Sequence, residues 1–293
     1  PEAGPTKKLS CYTKPNTCHM RHDITSSTPQ TIRLQQTLYN SANPTRRWLH
    51  QNRRDWINTA IARYCENGNR LAVDIGAGIG VYLPNLSETY EHVLSLDNNP
   101  EILKWGHKTF TEPNINSISG DARALPVQDA SADLVICSEV LEHIEENRQC
   151  LKEIHRILKP GGRLLLSMPQ PWSLLEITAR VVLTPLLLPL AQQIYREPVH
   201  PTGHINLISA KKTKDLLIKQ GFTINEFFRS GLYLPLLAEL FPKLAKTIAK
   251  KVDPIINKRF LSPLLWTQFY VATKPIKNKN GASEQPTDQR PNR

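Results

Sequence analysis

The chain has 293 residues, 40% of them hydrophobic, which suits one large α/β domain with additions built on a packed core. Its net charge of +11 is uneven: residues 71–170 carry 8 basic and 14 acidic side chains, so everything else carries +17. Five cysteines, an odd number scattered along the chain, argue against a disulfide framework and for a reducing, cytoplasmic compartment, and no secretory signal is visible near the start.

Residues 1–40 are rich in Pro, Thr, Ser, Asn and Lys without sustained periodicity, which predicts a disordered arm. Met20 is the only methionine in that stretch and a candidate start of synthesis. Cys11, Cys18, His19 and His22 match no common zinc-finger spacing. From Thr45 to Tyr64, Trp48, Leu49, Trp56, Ile57, Ala60, Ile61 and Tyr64 recur at helical spacing. One or two amphipathic helices follow, either packed on the first strand or serving partly as a lid whose aromatics and arginines border a site.

Leu71-Ala-Val-Asp-Ile-Gly-Ala-Gly-Ile-Gly80 reads as a buried strand emptying into a glycine turn. Glycine permits positive φ and lets a ligand approach main-chain N–H groups without meeting a Cβ. A second strand, Val93-Leu-Ser-Leu-Asp97, ends in an acid able to accept both hydroxyls of a ribose. The G-x-G-x-G spacing lacks the G-x-x-G that brings a helix onto a pyrophosphate, so the ligand is nucleoside-like rather than a dinucleotide. Ile118-Ser-Gly-Asp121-Ala122 places another acid at a strand end. Asp133-Leu-Val-Ile-Cys-Ser-Glu139-Val-Leu-Glu142-His143 runs strand into helix, and Leu158-Lys-Pro-Gly-Gly162 reads as a helix stop and turn before a fifth strand, Arg163 to Met168.

In order and spacing, Asp74-x-Gly-x-Gly-x-Gly80, Asp97, Gly120-Asp121, Glu139-x-x-Glu-His143 and Leu158-Lys-Pro-Gly-Gly162 resemble the class I S-adenosylmethionine-dependent methyltransferases, most of all the broad type-11 group. The resemblance is strong over about residues 70–170 and looser over 205–273. It implies S-adenosylmethionine as cofactor. Asp74 and the backbone of Gly76 and Gly78, in the turn that Gly80 completes, would hold its methionine part, Asp97 the ribose, and Asp121 with the Ala122 N–H the adenine. It also implies a fold: a Rossmann-like, seven-stranded, mostly parallel sheet with flanking helices. Strand six falls at 222–228, after a helix capped by Ser209 and stopped at Gly221, and an antiparallel strand seven at 266–272. The methyltransferase domain spans 41–273, with apolar helical cap insertions at about 171–203 and 231–262 and a loose polar tail from 274 to 293.

Glu139, Glu142 and His143 stand at i, i+3 and i+4. On one helix they would share a face, where two carboxylates and an imidazole could converge on a divalent ion such as Mg. The small-RNA 3′-terminal 2′-O-methyltransferases and the ubiquinone-pathway O-methyltransferases use a similar Glu-x-x-Glu-His. The alternative is a Glu-His pair that only caps and hydrogen-bonds. His200 or His204 could complete the site or act as general base, which makes His204, Glu139 and His143 the catalytic candidates. Cys137 reads as a small buried strand residue rather than a nucleophile. No Asp/Asn-Pro-Pro-Tyr/Phe follows strand four, which disfavours methylation of exocyclic base nitrogens.

The apolar run 181–191, broken by Pro185 and Pro189, is too short and interrupted to span a bilayer as a straight helix. In the second insertion, Lys243, Lys246 and Lys250 share one helical face while Leu244, Ile248 and Val252 fall on another, the pattern of a helix on an anionic surface or of a cap with solvated lysines. The expected function is methyl transfer to a small hydrophobic acceptor, a quinol, phenol or lipid, at oxygen or carbon, with a peripheral membrane surface as a possible partner. An RNA methyltransferase using the basic flanks is an alternative. The apolar insertions, and the scarcity of aromatics among the basic clusters, count against a nucleic-acid partner. A non-catalytic membrane-associated module that kept the cofactor fold is the other.

Overall fold

The apolar alternation of the predicted strands is realised as two-sided burial. Along β1 (Leu71–Ile75), β4 (Ala132–Ser138) and β5 (Leu158–Pro169), Val73, Ile75, Val135, Cys137, Leu164 and Leu166 enter one core, while Ala72, Leu134, Ile136 and Leu165 enter another on the opposite face. The computed structural model describes residues 30–65, 70–182, 184, 186, 204–257, 260–277 and 283–284. With β2 (His92–Asp97), β3 (Ile115–Ser119), β6 (Thr223–Ser230) and β7 (Thr267–Thr273), the strands form a seven-stranded sheet in the order β3-β2-β1-β4-β5-β7-β6. The first five pair in parallel; β7 runs antiparallel to both β5 and β6. This is the expected Rossmann-like sheet, mostly parallel with an antiparallel end.

Two helices precede it, α1 (Gln30–Asn40) and α2 (Pro44–Arg63), and α3 (Leu83–Thr89), α4 (Pro100–Thr109) and α5 (Asn147–Ile157) connect its strands. Ile57, Ala60 and Ile61 of α2 and Leu83 and Leu86 of α3 cover one face; Leu151 and Ile154 of α5 cover the other. After α6 (Leu174–Val182) the chain re-enters at α7 (Ala210–Lys219), whose N-cap Ser209 accepts from Lys212 N and which ends before Gly221 at φ +87°. Between β6 and β7 lie α8 (Pro235–Leu240) and α9 (Pro242–Asn257). Trp48 and Leu49 of α2 pack with Leu232, Tyr233, Ala238, Ala245, Ala249 and Trp266 in a third cluster, so one 20-residue helix ties the cap to the sheet.

Three expectations are corrected. Helix α1 begins at Gln30, inside the stretch read as a disordered arm; Ile32 and Gln36 are the residues it buries, and one apolar side chain leaves no periodicity to read. The Leu158–Gly162 block belongs to β5 rather than to a turn before it, with Gly161 at φ +84°. The tail is not loose from Lys274: its Nζ donates to the carbonyls of His155 and Leu158, and Ile276–Lys277 pairs with Ser283–Glu284. Cys11, Cys18, His19, Met20, His22, most of the 181–191 run and His200 lie outside the described residues. No helix among the described residues is long and apolar enough to cross a membrane.

Candidate active site

The carboxyl ends of β1, β2 and β4 meet at the crevice where strand order reverses, the usual ligand position in an open α/β sheet. Asp74 ends up buried on the central strand, and its Oδ2 has no hydrogen-bond partner. Burial, reinforced by the charge of Asp97, holds its carboxyl well above the usual range. Beyond it the turn carries Gly76, Gly78 and Gly80, all at positive φ.

The three glycines do different work. A Cβ at Gly76 would stand 2.5 Å from Val140 Cγ2, and its N–H donates to Leu96 O at 2.7 Å. The Gly78 N–H donates to Asp97 Oδ2 at 3.0 Å, which ties the turn to the end of β2, while Asp97 Oδ1 accepts from Asn99 N at 2.9 Å. At Gly80 a Cβ would run into the Phe110 ring and Leu83, so close packing alone already requires a glycine here. Helix α1 lies over the turn: Gln35 Oε1 accepts from Ile79 N at 2.9 Å, and Ile32 packs with Ile79 and Ile102.

Asp121 sits at the rim. Its carboxylate is forked by the Arg123 guanidinium at 2.6 Å and accepts from Arg123 N, which holds it below the usual aspartate range. The Ala122 side chain points into the core.

The Glu139-x-x-Glu-His block is not helical throughout. Glu139 has φ +57°, and only Leu141–His143 form a short 3-10 turn before α5. The three side chains therefore do not share a helical face. Glu139 instead turns to Arg53 of α2, at 2.9 Å, with both side chains largely buried. Arg53 lies over the Trp266 ring at 5.4 Å; burial opposes its charge, but the Glu139 carboxylate outweighs that and keeps it charged. A polar chain continues from Glu139 through Ser167 and Ser138 to Tyr82 OH.

Glu142 is fully buried; neither carboxylate oxygen has a hydrogen-bond partner among the described residues, His143 Nε2 stands 4.0 Å from Oε1, and burial next to Glu139 pushes its carboxyl well up. Its backbone carbonyl accepts from Ile205 N and Asn206 N, which docks the chain beyond the cap onto this turn and delivers His204. The His143 and His204 rings lie 5.3 Å apart, and Glu142, His143 and His204 offer donor atoms within 4.8 Å of one another. On the far side, His204 Nδ1 lies 3.2 Å from Glu176 Oε1, which also accepts from Trp266 Nε1. So the structure brings His204 to Glu142 and His143 and removes Glu139 from the trio. Sequence reasoning missed Glu176, whose only signal is a lone carboxylate in the apolar Leu174-Leu-Glu-Ile stretch. It also missed Gln35, which had none. Cys137 is buried, its thiol pushed up by Cys150 and by desolvation, in keeping with a packing role.

Strand order and the glycine turn are those of the Rossmann-like methyltransferase fold. Residues 73–166 match a family model described as a methyltransferase domain, of the type-11 group. It is 33% identical over 111 residues to an uncharacterized methyltransferase-like protein of Schizosaccharomyces pombe, covering 38% of this chain and 41% of that one. The same yeast's mitochondrial ubiquinone biosynthesis O-methyltransferase is 29% identical over 180 residues, 59% of this chain and 62% of that one. A phosphoethanolamine N-methyltransferase of Haemonchus contortus, solved with S-adenosylmethionine, shares the fold at TM-score 0.50 and 18% identity, over 75% of this chain and 52% of that one. The chain spans about two fifths of the length of the first curated relatives it matches.

Proposed function

We propose that the chain transfers a methyl group from S-adenosylmethionine to a small hydrophobic acceptor of the quinol, phenol or lipid kind, at oxygen or carbon. The observation that carries the cofactor half is Asp74: a buried carboxylate whose Oδ2 has no hydrogen-bond partner among the described residues, beside a second acid and below a turn of three positive-φ glycines. Such a site is costly unless a cation with a polar, flat body fills it. When bound, the cofactor supplies a methyl group already activated on a sulfonium. Asp74 would answer the positive charge, Asp97 the ribose hydroxyls, and the Gly76–Gly78 backbone would hold the methionine part. Asp121 and the Ala122 backbone would flank the adenine.

On the acceptor side, His204 takes the proton of an attacking hydroxyl, with the neighbouring Glu176 carboxylate orienting the imidazole. His143 lines the same space. The cap cluster of Trp48, Leu49, Tyr233 and Trp266 provides an apolar surround that excludes water. A hydrophobic acceptor suits that surround, and one relative is named for ubiquinone biosynthesis.

A second reading adds a divalent ion at Glu142, His143 and His204, favoured by their donor atoms lying within 4.8 Å and by Glu142 oxygens without a hydrogen-bond partner among the described residues. Two imidazoles and one carboxylate suit a borderline ion such as zinc or manganese better than magnesium, which prefers oxygen donors. Calorimetric titration with S-adenosylmethionine, beside Asp97→Ala, tests the cofactor half. Micromolar binding lost in the variant supports it, and no binding by the wild type overturns it. Turnover of quinol, phenol and lipid acceptors, with and without chelator, then separates the metal-free from the metal-assisted reading.

A further inference from the structure

Helix α9 buries the apolar stripe that its sequence offers only in part, Val252 packing on the third cluster while Leu244 does not. Its inward seam is Ala245, Ala249 and Asp253; Leu244 is 52% exposed and Ile248 half-buried. Immediately before it, Leu240 and Phe241 stand 63% and 60% exposed, and Leu236 of α8 70%. Large apolar side chains clustered on one corner of a surface mark a contact site rather than ordinary exposure.

The other flank of α9 forms an open groove of about 520 Å³ against the start of α2, lined by Pro44, Arg47, Lys243, Lys246, Thr247, Lys250 and Lys251. Five cations face it. None of them has a carboxylate at ion-pair distance among the described residues, although Arg47 donates to the Ser41 carbonyl. Nearby acids are turned inward. Glu239 is held by Arg46 at 2.8 Å and by Tyr233 OH, and Asp253 accepts from Ser230 Oγ and from Gly231 N beneath the helix. The cations also repel one another, Lys246 being disfavoured in its charged form by burial and then by Lys250 and Arg47.

We infer that this corner is a docking surface for an anionic lipid bilayer: the groove takes phosphate headgroups while Leu236, Leu240, Phe241 and Leu244 enter the acyl boundary. The pairing of uncompensated cations with aliphatic side chains decides the partner class. A nucleic acid would use the cations but gain little from leucines, and its stacking platforms are aromatic. The inference does not depend on the methyl-transfer reading, because vesicle binding is measured without cofactor or acceptor.

Co-sedimentation of the full chain with phosphatidylcholine vesicles, and with vesicles that also contain phosphatidylglycerol, tests it. We expect binding to the anionic vesicles that weakens with salt. Lys246→Ala/Lys250→Ala lowers it about thirtyfold, since each lysine at such a surface is worth a factor of about five. Leu240→Ser/Phe241→Ser lowers it while leaving the salt dependence. Lys212→Ala/Lys219→Ala, exposed on α7 and outside the groove, leaves it unchanged, and unchanged melting temperatures show that all three variants are folded. Equal binding to neutral and anionic vesicles, no binding to either, or tight RNA binding lost in the same lysine variant each overturns the inference. Displacement from vesicles by free glycerol phosphate at low millimolar concentration would make the groove a small-anion site and overturn it as well.

Discussion

His204 Nδ1 and Glu176 Oε1 stand 3.2 Å apart, with both side chains almost closed to water, although 28 positions separate them in the chain. The contact joins the two ends of the first cap insertion. Glu176 opens α6, where its N–H donates to Ser173 Oγ, and His204 follows the insertion where the chain docks on the Glu142 carbonyl. The approach is close but not in hydrogen-bond geometry, so Glu176 acts on the imidazole as a neighbouring carboxylate that orients it.

Glu176→Gln keeps the volume and the Trp266 contact but removes the charge. We expect methyl transfer to fall about 10- to 100-fold in kcat, the scale of a positioned general base losing its orientation, with S-adenosylmethionine affinity unchanged. A purely structural Glu176 would leave kcat intact and lower only the melting temperature.

Asp74 binds its proton more tightly in the folded chain than in the unfolded one, because burial and then Asp97 both oppose ionisation. Its contribution to stability is therefore complete below the ordinary aspartate range and is lost as pH rises through the raised folded value. Asp74→Asn removes that loss, so the ligand-free variant melts higher than the wild type at about pH 8, and the gap closes toward about pH 4. The same variant binds S-adenosylmethionine about 10- to 100-fold more weakly, as expected when a charge-assisted contact is removed. Melting curves across pH, paired with calorimetry, check both; a variant that loses stability at high pH would contradict the account.

Much of this was legible in the residues. The alternation of Val73 and Ile75 against Ala72, the acids at Asp74 and Asp97, and Ser209 and Gly221 around α7 are local signals, and local signals survive folding. Strands six and seven fell within two residues of their predicted ends: β7 is buried along its whole length, while the half-buried edge strand β6 is marked by Ile224, Phe227 and Phe228 and by the stop at Gly221 before it. What could not be read is contact across distance. Nothing near Glu139 announces Arg53, which arrives from a helix 86 positions earlier, and a left-handed Glu139 has no sequence mark comparable to glycine. Gln35 and Glu176 are ordinary polar residues made special only by what folds against them.

The Arg53–Glu139 pair makes a structural prediction about a residue expected to be catalytic. Arg53→Met leaves Glu139 charged and uncompensated in a largely buried setting, which costs about 3–5 kcal/mol. Glu139→Gln on its own costs less, because Arg53 keeps Tyr39 OH and the Trp266 face as neighbours. The double variant Arg53→Met/Glu139→Gln should recover part of the loss, and a double-mutant cycle from urea melts measures the coupling. If the sites behave additively, the ion pair holds nothing together and α2 is anchored by its apolar residues alone.

Gly78 and Gly80 were expected to serve the ligand alike, and the structure separates them. Each holds positive φ, at +54° and +72°, so an alanine at either carries a backbone cost of about 1–2 kcal/mol. At Gly78 the added Cβ would meet only the amide end of Gln35, a flexible side chain that can move aside, in the turn proposed to hold the methionine part. At Gly80 it would meet the Phe110 ring and Leu83 in the core, where overpacking adds about 1–3 kcal/mol. Gly80→Ala should therefore melt well below Gly78→Ala, while its folded fraction binds S-adenosylmethionine nearly as the wild type does. Gly78→Ala should show the reverse: modest destabilisation and a clear loss of affinity. Calorimetry below both melting temperatures distinguishes them, and an equal loss of affinity in the two variants would return Gly80 to the ligand surface.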